Sequence, residues 1–167
     1  MNELLSPKMD LGSDTDPDSF IITTVRLSDI SDSTERFFEE NFRGAVTFDI
    51  ERNFFGYTDV SPVGLAYFLK LILRCVYGKS VVRIVMQKRG KDLMIKASWN
   101  ADTPLYEKDM AELYKVASLS GFTASFSEDS ESCSAELLLP IKILKSIQIY
   151  ALSEFKMRKA LIRVFFS

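Results

Sequence analysis

The sequence predicts an α+β domain, a two-layer sandwich in which a mixed sheet carries its helices on one face. Three observations carry this. Apolar residues recur at helical spacing in some stretches and at strand spacing in others, so both kinds of element have one apolar face to bury. The order of elements is strand, helix, strand, helix, hairpin, helix, hairpin, which is neither a strict strand–helix alternation nor an all-strand pattern. A chain of 167 residues, 47% of them apolar and thirteen of them Phe, has the material for one substantial core.

Each element has its own signal. FIITTVR (20–26) is β-branched and reads as a first strand. Ile30, Thr34, Phe37, Phe38 and Phe42 follow at helical spacing, with Gly44 as a stop. GAVTFDIE (44–51) alternates Val46, Phe48 and Ile50 on one face, the pattern of a half-buried strand. In the next helix Ser61 is placed to cap and Pro62 to start it. Leu65, Phe68, Leu69, Ile72, Leu73 and Val76 then form its apolar stripe, and Gly78 gives the left-handed exit. Residues 80–87 and 92–98 read as strands joined by Lys88-Arg89-Gly90-Lys91, and Trp99 to Tyr106 as a loop. A helix over 107–120 buries Met110, Leu113, Val116 and Ala117 before Gly121. Two last strands, 122–127 and 133–139, flank the polar SEDSES. Residues 1–18 read as a flexible acidic tail and 19–140 as the domain. Residues 141–167 read as an extension, a strand followed by a basic amphipathic helix from Ser153 through Phe155, Lys156, Ala160, Leu161, Val164 and Phe165.

Composition excludes several function classes. There is no histidine, which removes the commonest general base, the Ser-His and Cys-His nucleophile pairs and most zinc sites. Two cysteines are too few for a disulfide framework. The net charge of −2 gives no reason to expect a nucleic-acid partner. The longest apolar run, Val63 to Val76, is interrupted by Lys70 and Arg74 and falls short of the roughly 18 residues a membrane span needs. No secretory leader is apparent, so a cytoplasmic setting is expected.

Taken together, TTVRLSDISDSTERFF, the strand at Gly44–Glu51, the helix after Asp59 and the hairpin 80–98 resemble the ATP-binding domain of bacterial histidine kinases, the GHKL or Bergerat fold. MAELYKVASLSGFTASFS and SCSAELLLP extend that resemblance to residue 140. The resemblance implies where nucleotide chemistry would lie. The family's nucleotide-binding helix carries two Asn that hold Mg²⁺ and phosphate oxygens, and these positions fall at Leu71 and Cys75, neither a ligand for a hard cation. The family's Asp-x-Gly-x-Gly turn, which reads adenine, falls at Trp99-Asn100-Ala101-Asp102-Thr103, with Trp in place of the Asp and no glycine. From Lys91 to Ser120 there is no glycine to build a phosphate-cradling loop. The expectation is a degenerate domain with no catalytic residues, no metal and no cofactor. Leu71, Cys75, Trp99, Asn100 and Asp102 mark the lost site.

Each of those residues also has a plain structural reading. Cys75 and Cys133 sit in apolar patterns and read as packed thiols. Trp99 is either a stacking platform or a plug for the pocket that the family keeps open. Asn100 and Asp102 fit loop chemistry. Lys88, Arg89 and Lys91 read as a solvated turn, and Glu35, Glu39 and Glu40 as the wet face of a helix. The function expected is that of an inactive kinase-like interaction module in bacterial signal transduction. Its partner would be a sensor kinase, a response regulator, a sigma-factor regulator or a second copy. With only an acidic tail ahead of the domain, no phosphoacceptor hairpin is expected. The alternative is a divergent ATP- and Mg²⁺-dependent kinase of the anti-sigma or histidine-kinase type.

Overall fold

The computed structural model describes residues 20–78, 81–101 and 107–143. The expected acidic tail, the candidate Asp102 and all of the extension beyond Ile143 lie outside these described residues. Ten elements follow in order: β1 (Thr23–Arg26), α1 (Leu27–Asn41), β2 (Ala45–Ile50), β3 (Tyr57–Val60), α2 (Pro62–Cys75), β4 (Val81–Arg89), β5 (Asp92–Asn100), α3 (Glu107–Ser120), β6 (Thr123–Glu128) and β7 (Ser132–Pro140).

Five strands form one mixed sheet in the order β2-β4-β5-β7-β6. β2 runs parallel to β4 and every other pairing is antiparallel. The inward residues Val82, Ile84 and Met86 of β4, Leu93, Ile95 and Ala97 of β5, and Ala135, Leu137 and Leu139 of β7 are buried together with the apolar stripes of the three helices. This is the α+β sandwich that the two periodicities predict. Its other face is polar, with Arg83 paired to Asp49 and Arg89 to Glu136.

Two features depart from the expected element order. The first strand is not part of the main sheet. β1 pairs with β3, a strand read from sequence only as the approach to α2, and the two form a separate two-stranded sheet. A strand's alternation specifies which side chains face inward but not which strand it pairs with, and four residues ending at a helix cap are too few for a periodic signal. Side chains supply the missing specification. Thr24 Oγ1 donates to Asp59 Oδ1 at 2.6 Å and Lys142 Nζ reaches Asp59 Oδ2 at 2.8 Å. These bonds, that from Lys142 foremost, hold the Asp59 carboxyl below the usual carboxylate range. Beyond Pro140 the described chain stays attached to this small sheet, because Lys142 and Tyr57 exchange backbone hydrogen bonds of 2.7 and 2.8 Å.

The second departure is at Trp99 and Asn100, which were expected in a loop. Both belong to β5, where Trp99 pairs with Cys133 and Asn100 with Ser132. The hydrogen bonds that extend the strand come from β7, more than thirty residues later in the sequence. Local polarity around Asn100 therefore misplaces the strand end.

Helix α2 follows its sequence signals closely. Ser61 Oγ accepts from Gly64 N at 3.0 Å, Pro62 occupies the first turn, and Leu65, Phe68, Leu69 and Ile72 are buried. The start of α2 is fastened to the end of α3 by a bond from Ser61 N to Ser120 O of 2.9 Å. The two helices touch there because residue 64 has no side chain. A Cβ on Gly64 would lie 1.7 Å from Ser120 Oγ and 2.9 Å from the Phe20 ring. Gly121, which ends α3 at φ +88°, is equally constrained, since a Cβ there would meet Asp59 O at 2.9 Å.

Two substitutions test this packing. Leu69→Ala should lower unfolding free energy by about 2–5 kcal/mol in chemical denaturation, the range for truncating a buried Leu. Gly64→Ala, normally favourable in a helix, should instead destabilise the protein and lower its melting temperature. An unchanged melt for either would mean that α2 does not lie where it is described.

Candidate functional site

The residues that the sequence marks for chemistry lie on α2 and at the end of β5. On α2, Tyr67, Leu71 and Cys75 are four apart and form one stripe. Opposite them α3 presents Asp109 and Glu112. Tyr67 Oη donates to Glu112 in a short hydrogen bond. Arg74 reaches Asp109 at 3.4 Å and Glu112 at 3.6 Å. These ion pairs are more than half exposed on the Arg74 side and contribute little individually, about 0–1 kcal/mol. They do fix which face of α2 looks at α3.

Leu71 is buried in the middle of that stripe. Cys75 is half-buried at its end, and burial pushes its thiol up to about 12, with the Asp109 and Glu112 carboxylates adding to the shift and Arg74 opposing it. Both candidate positions on α2 are therefore brought against α3. Neither offers an oxygen or amide ligand. No group of three or more His, Cys, Asp or Glu among the described residues is placed to hold a metal ion.

Trp99 faces the helix layer from β5 and is 4% exposed, in the same continuous core as Leu71. Its indole Nε1 is buried with no hydrogen-bond partner among the described residues. Asn100 follows it with the opposite facing, as strand alternation requires, and is exposed at the strand's end. Leu71 and Trp99 are thus both buried in the core, Cys75 is packed against it, and Asn100 faces the other way. Cys133, the partner of Trp99 across the strand pair, is a buried thiol as expected.

The polar clasp between the helices escaped the sequence reading. Tyr67 and Arg74 are seven apart on α2, and Asp109 and Glu112 three apart on α3, so each pair shares a face. The sign complementarity could have been noticed, but only a knowledge of which helices neighbour each other makes it a contact. A cavity of about 640 Å³ was likewise not foreseen. Its walls come from the C-terminal ends of α1 and α2 and the residues that follow them, including Phe42, Leu73 and Tyr77.

No protein-family model and no curated protein matches the sequence. Solved structures match the fold. The catalytic domain of histidine kinase ThkA aligns with a TM-score of 0.55 at 12% identity, over 72% of this chain and 95% of that domain. The histidine kinase domain of the E. coli osmosensor EnvZ aligns at 0.57 and 6% identity, over 81% of this chain and 96% of that domain. ThkA in complex with the response regulator TrrA aligns at 0.55 and 10% identity, over 72% of this chain and 42% of that one. The chain has the histidine-kinase ATPase fold that the sequence resemblance predicts.

The Cys75 environment has a direct readout. At pH 8 a thiol held near 12 exposes on the order of a thousandfold less thiolate than an ordinary cysteine. Cys75 in the folded protein should resist iodoacetamide and become modified only in denaturant, as followed by peptide mass spectrometry. Because the folded value is raised, the stability it contributes is complete below an unfolded thiol's ordinary range. It is lost as pH climbs through that range toward 12, so Cys75→Ala should flatten the alkaline part of the melting profile. Rapid alkylation of Cys75 in the native state would mean that α3 does not cover it.

Proposed function

We propose that this chain is a catalytically inactive histidine-kinase-like domain that acts by binding another protein in bacterial signal transduction. The observation that carries this reading is the α2–α3 contact. The face of α2 that the family resemblance aligns with nucleotide binding presents Leu71 and Cys75 and is packed against α3, with Tyr67–Glu112 and Arg74–Asp109 closing its polar margin. A helix face used this way has neither the ligands for Mg²⁺ nor open space for phosphates. Trp99, at the position aligned with the family's adenine-reading Asp, is buried in the same core.

The partner class follows by analogy of fold, an associational argument. ThkA is a histidine kinase crystallised with a response regulator. A response regulator, a sensor kinase or a sigma-factor regulator is the corresponding partner here. No helix among the described residues is long and apolar enough to cross a membrane.

One observation favours a second reading, a divergent ATP-binding kinase. The Trp99 indole N–H is a buried donor without an acceptor among the described residues, and buried donors ordinarily have one. A bound base could supply it.

Thermal denaturation separates the two. A ligand at a hundred times its Kd adds about 2.7 kcal/mol to stability, several degrees for a domain of this size. Mg-ATP and ADP should produce no shift, while titration against receiver domains and sensor-kinase cytoplasmic segments should produce saturable binding heat with at least one. A saturable shift with ATP, absent with unrelated anions, would overturn the inactive reading. Loss of binding to every such partner, with no nucleotide shift, would overturn the signalling assignment.

A further inference from the structure

Among the described residues the main sheet has β2 and β6 as its outermost strands, and the helix layer covers them unequally. Beside β6, Ala124 is buried and Phe126 meets Tyr114 of α3 edge-on, with ring centres 5.0 Å apart. Along β2, Val46, Phe48 and Ile50 face inward yet all remain half-buried. The core is therefore closed at one edge and incompletely covered at the other. Edge strands ordinarily carry a proline, a bulge or an inward charge that discourages further pairing. β2 has none of these. Its register with β4 runs unbroken from Ala45–Val81 to Ile50–Met86, and every inward residue is apolar.

The backbone of β2 is oriented for one more partner. Glu51 N donates to Met86 O at 2.8 Å, so the odd-numbered residues from 45 to 51 direct their backbone groups at β4. The N–H and C=O of a strand residue point the same way, and this direction alternates along the chain. Val46, Phe48 and Ile50 therefore turn theirs to the open side, where no described strand pairs with them. The side chains on the outer face, Arg43, Ala45, Thr47, Asp49 and Glu51, are all exposed. Asp49 is paired with Arg83 at 3.0 Å, Glu51 accepts from Lys88 N at 3.2 Å, and Arg52 is held by Glu35 of α1.

We propose that a second copy of this chain pairs with that edge, β2 antiparallel to β2 about a two-fold axis at Thr47. The axis stands perpendicular to the sheet, so both helix layers stay on one side and the two sheets become one. The strand's own sequence supplies the complementarity. With Thr47 opposite Thr47, Val46 and Phe48 of the two copies exchange their open backbone bonds and cover each other on the inward face. Arg43 then lies opposite Glu51 at both ends, in non-hydrogen-bonded positions where Cα atoms are about 4.5 Å apart. Neighbouring registers are poorer. An axis at Phe48 loses the Arg–Glu pairing, and one at Asp49 sets two carboxylates against each other. An axis at Val46 offers Arg43 only Asp49, which Arg83 already holds. A strip one strand wide belongs with small, reversible interfaces rather than obligate ones, so monomer and dimer interconvert with concentration.

Residue-resolved amide exchange by NMR, with light scattering, tests this on the full chain. It needs no other protein, so its failure leaves the signalling assignment untouched. Between about 10 µM and 1 mM the mass should rise from monomer toward dimer. Over the same range the Val46 and Phe48 amides should slow several-fold, while those of Thr47 and Asp49, directed at β4, stay equally protected throughout. Val46→Pro removes one outward N–H and leaves the bonds to β4 in place, so it should abolish the concentration dependence without changing circular dichroism. R43E and E51R should each weaken association several-fold, and the two together should restore it. A general loss of stability would not give that recovery, and the charge pair decides the matter even if the proline variant does not fold. Slow exchange at Val46 and Phe48 in a monomer at every concentration would mean that the chain covers its own edge, and would overturn the proposal. Fast exchange in a monomer throughout, or a dimer indifferent to all three substitutions, would overturn it as well.

Discussion

The contact of α2 with α3 at Gly64 and Ser120 is the constraint on which the helix layer depends. With no side chain at residue 64, the backbone of α2 comes within hydrogen-bonding distance of α3, and Ser61 N can use the otherwise free carbonyl of Ser120. The same approach sets the rotation of α2 about its axis. It turns Leu65, Leu69 and Ile72 into the core and Tyr67, Leu71 and Cys75 toward α3. A wider crossing would leave that stripe open to solvent and to ligands. One glycine thus governs both the stability of the core and the character of the face on which a nucleotide would sit in the resembled family.

The sandwich was legible in the sequence because its main elements carry strong periodic signals with clear ends. Ser61-Pro62 at the start of α2, Gly90 at the β4–β5 turn and Gly121 after α3 each state a backbone conformation that few other residues provide. What was not legible depends on partners distant in sequence. β3 is a strand because Thr24 and Lys142 bond to Asp59, and neither is near it in sequence. Trp99 and Asn100 extend β5 because Cys133 and Ser132 lie opposite them. Local polarity argued for a loop, and pairing with β7 prevailed.

The candidate site divides in the same way. That Leu71 and Cys75 are poor ligands could be read directly, since it is a matter of side-chain chemistry. That they face α3 could not, because it depends on the packing angle of two helices. The solvent-face reading of Glu39 and Glu40 was correct as to exposure, yet it missed their location at the negative end of a helix, where exposure alone does not make a charge neutral in its effect. The indole of Trp99, unpaired among the described residues, was also invisible to the sequence, since any buried Trp is expected to find an acceptor.

The position of β2 has a bearing on how the domain assembles and comes apart. The β4–β5 and β6–β7 hairpins close over two or three residues, whereas the parallel pairing of β2 with β4 must wait for the whole β3–α2 crossover. Closure entropy rises by roughly 0.6 kcal/mol for each doubling of the loop, and this loop is several doublings longer. Among the described residues β2 is also an outermost strand, paired along one side only, and its inward residues Val46, Phe48 and Ile50 are half-buried. The antiparallel hairpins therefore close at lower entropic cost than the β2–β4 pairing, and β2, half-buried at the edge, is the strand of the sheet whose attachment depends most on contacts distant in sequence.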